Sequence, residues 1–385
     1  MLKRVKIKNF KSLIDVDVEL APVTVLIGRS GAGKSNFVDA LKFLSELINL
    51  PGRQGLDDLL HRNGGWTSIG PAGIKDFKTL WDITFDVAGT EFQYILELDG
   101  NHSQPPNAHP ISREILLANG KKLFFRQAGK WIDEPVVGIP PDAIVALVYL
   151  AGEPLINDAF VALGRGIGAY DFPLNVLATP NSQPNPDRLG LLADASNYAR
   201  VIRELTESLQ WRPHWRQVEA ALKTLSPQIQ AVRYAPVVQS LDHLQITVGF
   251  NGRSVLLPLS SQSSGFRRVL AILLAIYQQP PKQTLIFEEP ENGIFPGALD
   301  LIGECVSDAA KALGIQSIIT THSPQLLDKF AAESIRVVEY RGATQIAPLE
   351  PGRLGMLKEG LLQPSELLTV TGPSPAAHED GVGAG

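Results

Sequence analysis

The residues best suited to chemistry stand in one short run, Gly28-Arg29-Ser30-Gly31-Ala32-Gly33-Lys34-Ser35, which fits the spacing G-x-x-x-x-G-K-[S/T]. Glycines at this spacing let backbone N–H groups converge on phosphate oxygens. Lys34 can reach the β- and γ-phosphates, and the Ser35 hydroxyl can ligate Mg2+. The chemistry also needs a strand before the loop and a helix after it, with the positive end of the helix aimed at the anion. The apolar run Val23–Ile27 supplies the strand. Residues 36–48 carry Phe37, Leu41, Leu44, Leu47 and Ile48 at helical spacing, so the loop opens a helix.

Cleavage of a phosphoanhydride needs a carboxylate for the metal and another to polarise water. The run Thr284-Leu285-Ile286-Phe287-Glu288-Glu289, bounded by Pro280-Pro281 and Pro290, reads as a buried parallel strand ending in two acids. Alternation along a strand would send Glu288 and Glu289 to opposite faces, one toward Mg2+ and the other toward the attacking water. A second apolar strand, 316–321, ends in Thr321-His322-Ser323-Pro324, where Ser323 fits an N-cap and Pro324 the first helical position. His322 then stands at a carboxyl strand end, where it could hydrogen-bond a phosphate or water. The segment Leu259-Ser260-Ser261-Gln262-Ser263-Ser264-Gly265-Phe266-Arg267-Arg268 crowds hydroxyls and a glycine at the start of the apolar helix 269–278. It is a second phosphate-seeking helix start, more than two hundred residues from the first. One nucleotide would meet both only across two subunits or across a folded interface.

Around these residues, 3–20 alternate as strands with a break at 9–12. Residues 79–87 with 91–98, and 113–117 with 122–127, read as antiparallel hairpins. No firm period runs through 152–186, whereas 197–210 and 214–225 have helical spacing. Strands resume at 230, with 244–250 and 254–258 among them. These patterns imply an α/β fold with an antiparallel β lobe and a small helical insertion. The expected divisions are an N-terminal part of the nucleotide head (1–50), a β-rich lobe (51–150), a helical and irregular insertion (151–229), a C-terminal part of the head (230–350) and an extension (351–385). The Gly-, Ala- and Pro-rich stretch 373–385 is expected to be disordered.

With 385 residues, 44% of them hydrophobic, the chain can bury a sizeable core. Its single cysteine, Cys305, excludes an internal disulfide and a cysteine-based zinc cluster; it is expected to be a buried packing residue in a reducing cytoplasm. The N-terminus lacks the apolar segment of a signal peptide, and the longest apolar run, 269–277, is too short to span a bilayer. A formal charge of −5 gives no global attraction to nucleic acid, so contact with phosphate backbones would need a local patch. Lys3, Arg4, Lys6, Lys8 and Lys11 precede the first acid, Asp15, and read either as such a patch or as a solvated strand edge.

Taken together, the loop with Ser35-Asn36, the Ser263-Ser264-Gly265-Phe266 segment, the Glu288-Glu289-Pro290-Glu291-Asn292-Gly293 run and His322-Ser323-Pro324 resemble ABC-type P-loop ATPases of the RecF/SMC-like branch. The nearest likeness is to the branch's compact AAA-family members without long coiled coils. The opening Ile7-Lys8-Asn9-Phe10-Lys11-Ser12-Leu13 is similar to the first strand of that branch. The resemblance implies ATP and Mg2+ as cofactors and a homodimer closed head to head on ATP. Residues 28–36 of one subunit would hold the nucleotide, and Ser263, Ser264 and Gly265 of the other would close over it. It further implies Ser35 and Glu288 at the metal, Glu289 as general base, Lys34 on the phosphates and His322 as the switch histidine. Several positions depart from the family pattern: Glu288 stands where Asp is usual, Arg29-Ser30 occupy the loop, Ser264 lies in the signature, and Phe295 replaces the His of a G-L-H-P motif.

The implied function is ATP-driven action on DNA or on a separately encoded effector, in repair or in defence against foreign DNA. A transporter's nucleotide-binding subunit and a non-hydrolysing ATP sensor are the alternatives. The lack of an LSGGQ-type signature argues against the first, and Glu288 keeps the second open. A built-in nuclease of the OLD-like kind is not expected, because the residues after His322 hold no Asp-x-Asp cluster suited to two metals.

Overall fold

The computed structural model describes residues 1–50, 52–100, 109–132, 145–178, 190–237, 241–250 and 252–369. The chain forms two compact units, one of residues 1–167 with 331–385 and the other of residues 168–330. The expected tail at 373–385 lies outside the described residues.

The first unit opens with strands β1 (Leu2–Phe10), β2 (Leu13–Glu19) and β3 (Val23–Ile27) and helix α1 (Lys34–Ile48). Two short helices follow, α2 (Arg53–Arg62) and α3 (Trp66–Ile69). Then come β4 (Lys78–Val87), β5 (Thr90–Asp99), β6 (Ile111–Ala118), β7 (Lys121–Gln127), β8 (Lys130–Trp131), α4 (Ala146–Tyr149) and α5 (Pro154–Phe160). Seven of these strands form one antiparallel sheet in the order β2-β1-β4-β5-β6-β7-β8. Both hairpins read from the sequence are present. Alternation does the sorting: Val5, Ile7 and Phe10 of β1 and Trp81, Ile83 and Phe85 of β4 are buried, while the intervening polar residues face out. Against that face lies α1, whose Phe43 stacks on Trp81 and meets Phe10 at a tilt, while Phe10 meets Trp81 edge-on, with centroids 5.8–5.9 Å apart. The Trp81 indole also donates to the Ala40 carbonyl at 3.0 Å. Full burial of each such side chain is worth about 1.5–3 kcal/mol.

In the second unit stand β9 (Ile167–Tyr170, whose first residue closes the other unit), α6 (Tyr198–Glu207), α7 (Arg212–Leu225), β10 (Ile229–Val237), β11 (Leu241–Phe250) and β12 (Arg253–Pro258). After them come α8 (Ser264–Tyr277), β13 (Thr284–Glu288), α9 (Pro296–Asp308), β14 (Gln316–Thr320) and α10 (Pro324–Leu327). Strands β10, β11 and β12 make a three-stranded antiparallel sheet. Parallel β13 and β14 pair from Thr284 opposite Gln316 to Glu288 opposite Thr320, with β9 beyond β13. The near-unbroken apolar run of α8 is matched by burial of every residue from Arg268 to Tyr277. Strand β9 had no signal, since Ile-Gly-Ala-Tyr is too short to show a period, and α9 was not read from the sequence.

The chain then returns to the first unit with β15 (Ile335–Tyr340), β16 (Thr344–Pro348), α11 (Pro351–Lys358) and α12 (Glu366–Thr369). Strand β15 pairs parallel with β3 and antiparallel with β16, so this late hairpin lies beside the strand that feeds the glycine loop. No described helix is long and apolar enough to cross a membrane.

Candidate nucleotide site

In the first unit the loop leaves β3 and enters α1 at Lys34, as its spacing requires. Gly31 and Gly33 have φ of 78° and 106°, a region that side chains with a Cβ rarely adopt. Two glycines are also fixed by contact. A Cβ on Gly28 would stand 2.1 Å from the Val338 carbonyl oxygen, and one on Gly33 would stand 2.0 Å from the Thr344 hydroxyl oxygen. Gly31 instead faces open space, and Arg29, Ser30 and Ser35 are exposed. Lys34 is only 6% exposed, and its ammonium donates to the carbonyls of Gly28 (2.8 Å) and Arg29 (3.2 Å), curled into the loop.

Behind the loop runs a relay of side chains that the sequence reading did not find. Thr344 Oγ1 donates to the Ala32 carbonyl at 2.9 Å and lies 2.6 Å from Ser12 Oγ, which accepts from Asn36 Nδ2 at 2.6 Å. The relay joins the β1–β2 turn, the start of α1 and the β15–β16 hairpin. Thr344 is 312 residues from Ala32, and no local pattern could have marked it.

In the second unit, Glu288 ends β13 opposite Thr320, and Glu289 steps out of the strand with φ of 42°. The amide of Glu289 donates to the Thr320 carbonyl (3.0 Å) and hydroxyl (3.2 Å). Left-handed backbone thus ends the strand at Glu288, so Glu289 does not continue the strand alternation expected from sequence. Glu289 Oε2 accepts from Asn292 Nδ2 at 2.8 Å, and its Oε1 lies 3.7 Å from His322 Nε2. Both side chains are partly open to solvent, 43% and 37% exposed. Ser323 caps α10 as expected, its hydroxyl accepting from the Leu326 amide at 3.2 Å, with Pro324 at the first helical position.

Two further residues of this cluster were missed, although both lie inside quoted motifs. Glu291 Oε1 accepts from Thr321 Oγ1 (2.7 Å), the His322 amide (2.7 Å) and the Ser323 amide (3.1 Å), which fixes the histidine turn. Arg268, 3% exposed, donates to the carbonyls of Glu289 (3.0 Å), Pro290 (3.2 Å) and Phe172. Burial lowers its pKa against the pull of Asp171, Glu291 and Glu289.

Ser263 caps α8, its hydroxyl accepting from the Phe266 amide at 3.2 Å. A Cβ on Gly265 would stand 3.0 Å from the Gly293 carbonyl oxygen, which ties the serine–glycine turn to the end of the acidic run. An open cleft of about 350 Å³ lies here, lined by Ser263, Ser264, Gly265, Gly293 and Phe295 among others.

Two expectations change. The basic N-terminal residues form neither a free patch nor a sheet edge, because β1 lies between β2 and β4. Lys3 pairs with Asp86 and Glu91, Arg4 with Asp17, Lys6 with Asp15 and Asp17, Lys8 with Asp15, and Lys11 with Asp39. Cys305 is half-buried rather than buried, and burial together with Asp308 and Glu304 pushes its thiol up to about 11.

The loop, the late parallel strand ending in acids and the histidine turn are those of a P-loop ATPase head. Comparison with known proteins agrees. Residues 1–89 match the family described as an AAA ATPase domain. Residues 191–328 match an AAA domain family whose description associates it with the AbiEii toxin of type IV TA systems. The chain is 27% identical to an OLD nuclease of Thermus scotoductus over 359 residues, covering 88% of this chain and 62% of that protein. Among solved structures, an SMC head bound to the C-winged helix domain of ScpA aligns over 91% of this chain and 99% of its own, with 13% identity and a TM-score of 0.57. An SMC head with an extended coiled coil, bound to the C-terminal domain of ScpA and derived from Pyrococcus furiosus, aligns over 94% and 99%, with 13% identity and a TM-score of 0.55. At that identity the likeness is one of fold. Parts of this chain thus resemble AAA-type ATPase domains, and its fold is like that of SMC heads.

Proposed function

We propose that this chain binds and hydrolyses ATP with Mg2+, closes into a head-to-head homodimer on the nucleotide, and uses that closure to clamp DNA or to control a partner effector. The observation that supports it most is the loop itself: glycines held in left-handed backbone, one face open, and a nearly buried lysine folded into the loop. Residues 28–36 would hold the triphosphate through amides and the Lys34 ammonium, and an incoming phosphate would replace the carbonyls that Lys34 now contacts.

Among the described residues, no group of three or more His, Cys, Asp or Glu side chains could hold a metal ion. The donor set suits Mg2+, which keeps waters and takes one or two protein ligands beside substrate phosphates; Ser35 and Glu288 are the residues proposed for it. When bound, the ion would neutralise charge on the phosphate oxygens. Glu289 would take the proton of the attacking water, and His322, positioned by Glu291, would hydrogen-bond the phosphate or that water. Ser263, Ser264 and Gly265 would act on the nucleotide of the other subunit.

The setting we propose is the cytoplasm, in DNA repair and maintenance or in defence. An OLD nuclease among the relatives motivates a nuclease as the separately encoded effector, and the chain spans 62% of that relative's length. The sequence divisions at 50, 150, 229 and 350 are proposed as functional boundaries of head, lobe, insertion and extension.

The test is ATP turnover with and without DNA, in wild type, Lys34→Ala and Glu289→Gln. Lys34→Ala should lose nucleotide binding. Glu289→Gln should bind ATP and dimerise but turn over about 10²–10⁴-fold more slowly. Uncleaved ATP in a single-turnover experiment with wild type would overturn hydrolysis in favour of a sensor. Co-purification with an integral membrane protein would favour a transporter subunit.

A further inference from the structure

We propose that one face of α7 is the contact for a nucleic-acid phosphate backbone. This deepens the proposed function and rests on its DNA-binding branch, because the N-terminal cations that could have served are already paired with acids. Helix α7 buries Trp215, Val218 and Leu222. Arg212, Arg216 and Lys223 are all exposed. At about 100° per residue the three fall within an arc of about 40°, and at 1.5 Å per residue they extend along about 16 Å of the helix.

Among the described residues none of the three is in an ion pair. Arg212 makes one long hydrogen bond, from Nη2 to the Thr206 carbonyl at 3.4 Å. Glu219 stands between Arg216 and Lys223, about 20° outside that arc on its buried side; it is half-buried, and its Oε1 accepts from the Val232 amide at 3.4 Å. A row of unpaired cations on a chain of net charge −5 is a local field of the sign that attracts a polyanion. A single row along one helix suits a phosphate backbone better than an irregular acidic protein surface. The contact carries no base readout, so it would be independent of sequence.

The experiment measures fluorescence anisotropy of a labelled duplex against wild type and Arg212→Ala/Arg216→Ala/Lys223→Ala, between about 50 and 200 mM salt. The changes are at exposed helix positions where alanine is a good helix former, and melting temperature checks the fold. The triple variant is expected to bind more weakly, with a slope of log affinity against log salt shallower by about 2 to 3. Equal affinity and slope in the two proteins overturns the proposal. So does a wild type that binds no duplex, or one that binds polyglutamate in preference to DNA. A fluorescent ATP analogue is titrated in parallel: the triple variant should bind it normally, and failure of wild type to bind it would count against the nucleotide site alone.

Discussion

One carboxylate oxygen of Glu291 lies 2.7 Å from the amide nitrogen of His322, and the same oxygen takes the Thr321 hydroxyl and the Ser323 amide. The histidine is thus held through its backbone, not through its ring, which stays 3.7 Å from Glu289. Glu291→Ala would leave the Thr321 hydroxyl and the His322 amide without their acceptor, while the Ser323 amide keeps Thr321 Oγ1 at 2.9 Å. It is expected to cost about 1–3 kcal/mol of stability. It should also lower ATP turnover more than ATP affinity, read as a fall in kcat with little change in KM. An unchanged kcat would show that the turn does not position His322 for chemistry.

Arg268 acts on the neighbouring backbone. Its guanidinium holds three carbonyls, including that of Glu289, and a lysine's single ammonium cannot reproduce this fork. Arg268→Lys is expected to destabilise by about 1–3 kcal/mol and to slow turnover while ATP binding persists. Denaturant melts and single-turnover kinetics on the same preparation check both parts.

The relay behind the glycine loop makes a sharper steric prediction. Gly33→Ala would place its Cβ 2.0 Å from Thr344 Oγ1 at a φ of 106°. The strained backbone alone is worth about 1–3 kcal/mol. Nucleotide affinity, measured by calorimetry, should collapse. Gly33→Ala/Thr344→Ala should not restore it, because the φ remains; full rescue would mean that the clash alone mattered. Thr344→Ser keeps the hydroxyl and should bind as wild type, whereas Thr344→Val should lose about 0.5–1.5 kcal/mol of binding.

What the sequence could tell follows from the range of each interaction. Strand β3 was read with its observed ends, because an apolar run, a glycine loop and an amphipathic helix are adjacent in the chain. The start of β13, the Ser323 cap and both hairpins of the lobe are local in the same way, whereas α8 begins at Ser264 rather than at 269 because Ser263 caps it. Thr344 was invisible: its partners Ala32 and Ser12 lie more than three hundred residues away. The N-terminal cations were misread for the same reason. Their partners include Asp86 and Glu91, brought to Lys3 only by sheet pairing. Glu289 shows a different limit, since strand alternation was a sound expectation until a left-handed residue ended the strand.

The last prediction concerns a buried acid in the β lobe. Glu114 is fully buried, accepts from Tyr94 Oη (3.0 Å) and from the amides of Ala146 and Leu147 (2.8–3.1 Å), and lies 3.6 Å from Arg126 Nη1. Burial outweighs these partners and raises its pKa above the ordinary value of 4.5. A carboxyl raised in the folded state keeps its proton there after the unfolded chain has released it. Its favourable contribution is therefore complete below about 4.5 and is lost as pH rises through the folded value. Glu114→Gln cannot titrate. The stability of wild type minus that of the variant, from urea melts at a series of pH values, should accordingly fall as pH rises from the carboxylate range toward neutrality. Each tenfold difference in proton affinity adds about 1.4 kcal/mol to that fall. A difference that grows with pH would mean that Arg126 and the two amides hold the carboxylate charged throughout.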